Sequence, residues 1–257
     1  MVLRYENTPL YKFLRRKIMK GISRPIDIFN TVSKCLKEYD KNLRNTKVMF
    51  VIENKDRTLS KEEVYFPKSS YKHLTGVSII EKSTGKSLNA YEFYDILKDE
   101  RLNLKEYIIK EKDSTTDLKL QVLPQLMRID RMANMFGEFS NFNIFLQTEK
   151  IAGNINACMG FVKDNESNTY IPNTSLKKDI RDITNNRNKI VAIFKKDITE
   201  KLYKNITYLK QSYQITDILK NKEINKIIDT KNIYSADRNT DKKIYDFIYK
   251  TKKDDSE

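Results

Sequence analysis

The sequence contains few of the residues that metal, redox and membrane sites require. Among its 257 residues there are two cysteines, one histidine and no tryptophan. Cys35 and Cys158 lie far apart, and neither has a partner at the spacing of a zinc site. We therefore expect reduced, structural thiols in a cytoplasmic protein, and neither a metal nor another cofactor. No apolar run approaches the roughly 18 residues of a transmembrane helix, and we expect neither a signal peptide nor a membrane partner.

The chain has a large excess of positive charge. It contains 49 lysines and arginines against 35 aspartates and glutamates, which gives a net charge of +14 and an isoelectric point near 9.5. This balance favours a polyanion such as nucleic acid or an anionic surface, although an AT-rich genome would also enrich lysine. The acidic residues are scattered among lysines, and no phosphate-binding loop or metalloprotease motif is present. A two-metal nuclease is therefore disfavoured.

Hydrophobic periodicity predicts helices first and then mostly antiparallel strands. The predicted helices cover 8–22, Pro25 to Leu43, Pro67 to Leu74, 87–99, 115–137 and Leu176 to Ile183. The predicted strands cover 47–53, Leu59 to Phe66, Phe142 to Gln147, Ile155 to Val162, Tyr170 to Ile171, Ile190 to Phe194 and Ile206 to Leu209. This order indicates an α+β fold with a small, curved, mainly antiparallel sheet, packed by helices on one face and partly open to a ligand on the other.

Charge and periodicity also divide the chain into three segments. Residues 1–25 are predicted to form a basic N-terminal helix, and residues 26–211 the main domain. Residues 212–257 are rich in lysine and aspartate, and we expect them to be helical or partly disordered. The main domain thus carries helical extensions at both ends.

The only histidine lies in the segment FPKSSYKHLTG, residues 66–76. An imidazole is suited to proton transfer near neutral pH, and lysines beside it can hold a phosphate. In metal-independent RNA cleavage, His73 would act as acid or base, Lys68 or Lys72 would stabilise the phosphorane, and Tyr71 would stack on a base. Thr75 lies on a neighbouring face of the predicted short helix. The alternative is that His73 simply packs or caps that helix.

A second polar segment, residues 147–154, is predicted to be a loop between two strands. Lys150 offers a cation, and Gly153 and Asn154 allow backbone geometries that present amides to phosphate. Glu149 is a candidate general base. The alternative is an ordinary hairpin turn.

A third polar segment begins at Tyr170 and reads YIPNTSLKKDIR. Asn173 or Thr174 is a good N-cap for the helix predicted after it, and a helix N-terminus with hydroxyls can bind an anion. Arg181 would clamp a phosphate. The alternative is that these residues only cap the helix.

The three segments resemble the phage-borne barnase–EndoU–colicin–RelE-like nucleases, in particular the fourth subtype of that group. The resemblance covers residues 26–211 and is carried by FPKSSYKHLTG, LQTEKIAGNINACMGFVKD, YIPNTSLKKDIRDI and NKIVAIFKK. It implies a compact α+β nuclease fold and RNA cleavage without metal that leaves a cyclic phosphate. It also implies that His73 is the catalytic acid or base, that Lys68 and Lys72 contact phosphate with support from Thr75, and that Lys150 and Asn173 assist.

Three functions are compatible with these features. The first is an endoribonuclease acting on tRNA or mRNA, as a toxin or effector of a phage or other mobile element, with a possible immunity or host protein as partner. The second is a nucleic-acid-binding protein without catalysis, or an inhibitor of a host defence complex. The third is a protein–protein adaptor. A cluster of titratable and phosphate-binding groups around one histidine favours the first.

Overall fold

The secondary structure follows the hydrophobic periodicity over most of the chain. The computed structural model describes residues 25–100, 102–111, 114–140, 147–165 and 169–235. The helix predicted at 8–22 and nearly all of the strand predicted at 142–147 lie outside the described residues. The α-helices are α1 (Pro25–Asn42), α2 (Ser70–Thr75), α3 (Ala90–Lys98), α4 (Thr116–Leu126), α5 (Ile129–Met132), α6 (Ile215–Leu219) and α7 (Lys222–Asn225), with a 3₁₀ helix at Ile180–Asp182.

The strands described form one large sheet and one separate two-stranded sheet. They are β1 (Thr46–Glu53), β2 (Leu59–Tyr65), β3 (Val77–Glu81), β4 (Tyr107–Glu111), β5 (Met135–Glu138), β6 (Lys150–Gly153), β7 (Cys158–Lys163), β8 (Tyr170–Leu176), β9 (Asn188–Asp197), β10 (Asn205–Leu209) and β11 (Tyr234–Ser235). β3 and β4 form a separate antiparallel pair that the periodicity did not reveal. The other nine strands form the large sheet.

Seven strands of the large sheet close into a ring. The order is β1-β2-β8-β7-β6-β5-β9-β10-β11, and β9 also pairs with β1 along its length. The pairs in the ring are antiparallel except β2 with β8, which meet in parallel at Val64 and Tyr170 alone. The α+β class and the mainly antiparallel, curved sheet are as predicted, but the sheet is large rather than small. Closure explains the difference, because it recruits seven of the main domain's described strands and leaves out only β10, which pairs with the outside of β9, and the antiparallel pair β3–β4.

Aromatic side chains fill the inside of this barrel. Phe50 of β1, Phe136 of β5 and Phe161 of β7 have ring centroids 5.5 to 6.4 Å apart, and their strands are not neighbours in the sheet. The rings therefore meet across the interior. The same core continues to the helices, where Tyr39 of α1 lies 5.1 Å from Tyr71 of α2. Helices α1 to α5 are thus fixed to the barrel through one apolar cluster.

The outer face of β1, β9 and β10 is also covered. Met49 and Val51 point away from the barrel interior and pack with Ile215, Ile218 and Ile224 of α6 and α7. The expectation of an open face is therefore wrong for this part of the sheet. Residues after 211 take part in this packing up to Ser235, because their isoleucines bury the second face of the central strands.

The long helix predicted at 115–137 is broken into three elements. α4 ends at Leu126, two residues after Pro124, and α5 follows after Arg128, whose backbone is not helical. Proline removes a backbone donor, so the helical hydrogen bonds do not continue smoothly past this point. The remaining residues, from Met135, form β5, because they pair with β6 and β9. Tertiary pairing thus overrides the helical periodicity.

Two polar segments also differ from their predicted structure. Residues 150–153 form strand β6 rather than a loop, because they pair with both β5 and β7. Residues 173–176 lie in β8, so the helix predicted from Leu176 to Ile183 is reduced to one 3₁₀ turn. Within the described residues, no helix combines the length and apolarity needed to cross a membrane.

Candidate nucleic-acid site

The histidine segment forms a short helix that is held at both ends. α2 follows β2 directly through Phe66 and Pro67, and Gly76 ends it in a left-handed conformation with φ 67°. Tyr71 and Leu74 face the core, and the Tyr71 hydroxyl donates a hydrogen bond to the carbonyl of Val32 at 2.5 Å. Tyr71 is fully buried, and burial raises its pKa well above the usual value. Its ring is therefore part of the core and is not presented to a base, contrary to expectation.

His73 lies on the opposite side of α2 and is exposed. Because Tyr71 and Leu74 anchor the inner face, the imidazole projects from a fixed backbone. Thr75 is buried, and its hydroxyl donates to the carbonyl of Lys72 at 2.9 Å and accepts from the amide of Val77 at 3.1 Å. Thr75 thus closes the end of the helix that carries His73 and does not face a phosphate.

The two lysines of this segment are tied to α3 and to the residue before its cap. The ammonium of Lys68 lies 3.1 Å from both carboxylate oxygens of Asp95 and over the rings of Tyr91 and Tyr94. Lys72 donates to the carbonyl of Leu88. α3 begins with a capping box in which Asn89 and Glu92 satisfy each other's backbone amides, so this anchor is rigid. Both ammonium groups are half-buried at the edge of the histidine surface, which we define as Lys68, Lys72 and His73.

Lys150 lies in a different place, inside the mouth of the barrel. Its ammonium is 3.2 Å from Glu138 of β5 and 3.5 Å from Glu62 of β2. Burial lowers the pKa of Lys150, but the carboxylates of Glu62 and Glu138 outweigh it, and the pKa ends above its usual value. Strands β6 and β2 are separated in the ring by β7 and β8, so the pair with Glu62 spans the interior. Lys150 is therefore a well-ordered cation in a cleft.

The cleft around Lys150 has a volume of about 190 Å³. Its lining is partly polar and partly apolar: Ile52, Asn54, Ser60, Glu62, Phe136, Gly137, Glu138, Lys150, Asn186 and Asn188. Tyr170 is close enough that its pKa, which burial raises, responds to Lys150 and to both carboxylates. We call this site the barrel mouth.

Asn173 and Thr174 lie on β8, against which α2 packs. The amide of Asn173 donates to the carbonyl of Gln147 at 2.6 Å and accepts from the hydroxyl of Thr148 at 3.1 Å. Thr174 is buried against Gly160, where a Cβ would lie 2.8 Å from its methyl group. The prediction that these residues cap a helix is therefore wrong, because both lie in β8, where Thr174 pairs with Gly160 of β7 and Asn173 lies at a bulge.

Asn154 lies at the far end of β6, where its carbonyl accepts a hydrogen bond at 3.2 Å from the amide of Ile180, next to Arg181. The side-chain oxygen of Asn154 accepts from the amides of Asn156 and Ala157, which closes the turn into β7. Arg181 is exposed and makes a bidentate ion pair with Asp179, which lowers the pKa of that carboxyl. These two residues are separated from Lys150 by the length of β6. The three predicted motifs thus do not converge on one surface: the second contacts the third through Gln147, Thr148 and Asn154, and α2 of the first packs on β8 of the third.

Glu62, Glu138 and Tyr170 were not identified from the sequence. The alternation of β2 did carry a signal. Ser60 and Glu62 share one face of the strand with Val64, which is buried, so Glu62 points towards the interior. Nothing local distinguishes Glu62 from a solvated carboxylate, because its partner Lys150 is 88 positions away.

The thiols and acidic groups offer neither an obvious nucleophile nor a metal centre. Burial raises the pKa of Cys35 to about 11 and that of Cys158 to about 12, so both remain protonated near neutral pH. In the part of the chain that the structure describes, no group of three or more histidine, cysteine, aspartate or glutamate side chains is placed to hold a metal ion.

Comparison with known proteins identifies the family. A sequence model described as phage-Barnase-EndoU-ColicinE5/D-RelE like nuclease4 matches residues 31–212. The matched region contains α2, the barrel mouth and β8. No curated protein and no solved structure shows significant similarity to the chain. Since the match covers more than half of the sequence, the chain belongs to the phage-Barnase-EndoU-ColicinE5/D-RelE like nuclease4 family.

Proposed function

We propose that the protein is a metal-independent endoribonuclease in which His73 acts as general acid or base. The observation that carries the proposal is the exposed position of His73 on an anchored helix, in a chain that belongs to a nuclease family. The net charge of +14 supports a polyanionic substrate. Lys68 and Lys72 lie on the same short segment and supply cations beside the imidazole.

The reaction consists of attack by a 2′-hydroxyl on the adjacent phosphorus. The 2′-oxygen loses its proton and forms a bond to phosphorus, the bond to the 5′-oxygen breaks, and the leaving oxygen gains a proton. The products are a 2′,3′-cyclic phosphate and a 5′-hydroxyl. His73 performs one of the two proton transfers, and nearby ammonium groups stabilise the charge that develops on the phosphorane oxygens.

Lys68 can stabilise the phosphorane once its ammonium group exchanges the carboxylate of Asp95 for a substrate phosphate. Its side chain is 38% exposed and that of Asp95 is 46% exposed, so their ion pair contributes about 1 kcal/mol or less. A substrate phosphate can therefore compete for the ammonium group. Since Tyr91 and Tyr94 lie against Lys68, the side chain remains oriented while the partner changes.

The proposed biological role is that of an effector or toxin of a phage or other mobile element, which cleaves tRNA or mRNA in the cytoplasm. Such an activity would require a protective partner, such as an immunity protein, in the cell that produces it. The alternative is a nucleic-acid-binding or host-defence-inhibiting protein that uses the same basic groups without cleavage.

The test is cleavage of total RNA in the presence of EDTA by wild type, His73→Ala and His73→Asn. Removing a general acid or base lowers the rate by about 10²-fold or more. Because His73 is exposed, the free energy of unfolding of both variants should lie within about 0.5 kcal/mol of that of wild type. The exposed Lys201→Ala is the matched surface control and should cleave normally.

Each other outcome contradicts part of the proposal. Equal cleavage by wild type and His73→Ala would remove the histidine from the mechanism. Loss of cleavage in EDTA would show that the reaction requires a metal ion. Salt-dependent RNA binding without any product would favour the non-catalytic alternative.

A further inference from the structure

Charged groups at the barrel mouth are separated by depth. The inner lining carries two carboxylates, Glu62 and Glu138, and one ammonium, that of Lys150. Two outer clefts of about 340 and 270 Å³ share Asn54 and Asn188 with the inner cleft. Their rim carries four cations and two carboxylates, contributed by Glu53, Lys55, Asp56, Arg57, Arg187 and Lys189. The interior is thus net acidic, whereas the rim is net basic.

The inner carboxylates retain capacity to accept hydrogen bonds. One oxygen of Glu138 and one of Glu62 contact Lys150, which leaves the second oxygen of each outside these two ion pairs. The side chain of Glu62 is 29% exposed and that of Glu138 is 59% exposed, so both remain accessible. An ionised carboxylate only accepts hydrogen bonds. A ligand group that enters must therefore donate them.

The other lining residues restrict further which hydrogen-bond-donating ligands fit the barrel mouth. Ile52 and Phe136, which are almost completely buried, form the apolar floor at which the cleft ends. Asn186 and Asn188 each supply both a donor and an acceptor. A phosphate would be repelled by the inner carboxylates but attracted by Arg57, Arg187 and the other rim cations. The site therefore matches a molecule with anionic groups outside and a flat, donor-bearing ring inside.

A nucleobase in single-stranded RNA has this distribution. Adenine, cytosine and guanine each carry an exocyclic amino group, and carboxylates accept from such groups, as they do from cytosine. Uracil lacks the amino group, and its carbonyl oxygens flank its single ring N–H. The carboxylates should therefore disfavour uracil.

We propose that the barrel mouth is a nucleotide-binding subsite that takes one unpaired base with an exocyclic amino group, while the rim cations hold the flanking phosphates. The base lies against Phe136 with its amino edge towards Glu62 or Glu138. The choice of RNA as the polymer rests on the proposed function, but binding at this subsite does not require His73.

The experiment measures fluorescence anisotropy of labelled 12-residue homopolymers of adenylate, cytidylate and uridylate in EDTA, with the full-length His73→Ala protein. The adenylate and cytidylate polymers should bind about tenfold more tightly than the uridylate polymer. In Glu62→Gln and Glu138→Gln backgrounds this preference should fall to about twofold, because a carboxamide can also donate to a carbonyl. Arg57→Ala should weaken the binding of all three polymers alike. It should also reduce, by about one, the slope of log affinity against log salt concentration (the salt slope).

Two variants separate recognition from folding. Glu63→Gln lies on the outer face of the same strand and should preserve the preference. Asn186→Ala changes an exposed loop residue of the lining and should weaken the binding of all three polymers without loss of thermal stability, because its carboxamide serves donors and acceptors alike. Equal affinity for the three polymers, or a preference that survives both glutamine substitutions, would overturn the inference, as would the absence of binding.

The outcomes also distinguish this inference from the proposed function. If wild type cleaves RNA but the protein shows no base preference, only the subsite is wrong. If base-selective binding depends on Glu62 and Glu138 but wild type never cleaves RNA, the subsite stands and the endoribonuclease proposal fails.

Discussion

The histidine surface and the barrel mouth place their charged groups in contrasting settings. At the histidine surface, one short stretch of sequence that leads into α2 supplies Lys68, Lys72 and His73, and the imidazole is exposed. At the barrel mouth, Lys150 meets Glu62 and Glu138 from three separate strands within an enclosed cleft. The first surface is suited to rapid proton exchange with a substrate. The second is suited to selecting the shape and hydrogen-bonding pattern of a ligand.

The two regions also differ in how their lysines are held. Lys68 has one carboxylate partner at a surface where water competes, whereas the side chain of Lys150 is 19% exposed and has two. Removing Lys150 therefore has a larger effect than removing Lys68, since it leaves two neighbouring carboxylates without their shared cation. The predictions below use this difference, beginning with the largest expected effect.

Lys150→Met should lower the free energy of unfolding by about 2 kcal/mol at pH 7, between the values typical of exposed and of buried ion pairs. Urea denaturation measures the change. The matched control is Lys61→Met, which breaks a pair with Glu63 on the outer face of β2 and should cost less than about 1 kcal/mol. Equal losses in the two variants would show that the second carboxylate partner of Lys150 adds no stability.

The stability that Lys150 contributes through Glu62 and Glu138 should depend on alkaline pH. The folded-state pKa of Lys150 is raised above the ordinary 10.5, so its contribution to stability is fully present below that pH and is lost as the pH rises through the raised value. The difference in unfolding free energy between wild type and Lys150→Met should therefore be constant from pH 7 to pH 9 and shrink above pH 10.5. A constant difference up to pH 12 would contradict the ion-pair explanation.

Gly76→Ala should lower the free energy of unfolding by about 1–2 kcal/mol, because Gly76 has φ 67° and a Cβ would lie 2.9 Å from Lys119 and 3.2 Å from Thr116. Gly85→Ala is the matched control: it has φ 68° but open space around the added Cβ. The difference between the two variants isolates the packing at the end of α2. If the position of α2 matters for catalysis, Gly76→Ala alone should also slow RNA cleavage.

Lys68→Ala and Asp95→Asn should have the smallest effects on stability, less than about 1 kcal/mol each, since both side chains are substantially exposed. Their effects on RNA affinity should have opposite signs. Lys68→Ala removes a phosphate contact and lowers the salt slope by about one, whereas Asp95→Asn releases the ammonium and strengthens binding. Weaker binding in both variants would indicate that the pair itself orients the surface.

Local patterns predicted several elements well. Val32, Leu36 and Tyr39 form the buried stripe of α1, within the helix predicted from Pro25 to Leu43, and the helix predicted at 87–99 corresponds to α3. The helix predicted from Pro67 to Leu74 is shorter, since it begins at Ser70 with Ser69 as its N-cap, and Gly76 ends it in the left-handed conformation that glycine adopts easily. These features depend on neighbours within a few residues.

Features that depend on distant pairing were predicted poorly. Lys150 was assigned to a loop and Asn173 to a helix cap, but each lies in a strand because hydrogen bonds from neighbouring strands stabilise extended backbone there. The tail after residue 211 looked like a polar extension, yet its isoleucines cover β1 and β9. Periodicity reports which side chains share a face but does not identify the element that covers that face.

The sequence by itself determined the basic charge, the mixed α and β composition, the short helix that carries His73 and the family to which the chain belongs. These properties follow from composition and from interactions between residues that are close in the chain. Only the tertiary structure decided that Tyr71 is a core residue, that seven strands close into a barrel and that Lys150 meets Glu62 and Glu138. The physical reason is that closure joins β1 to β9, more than 130 positions apart, and so creates an interior that no local pattern can encode.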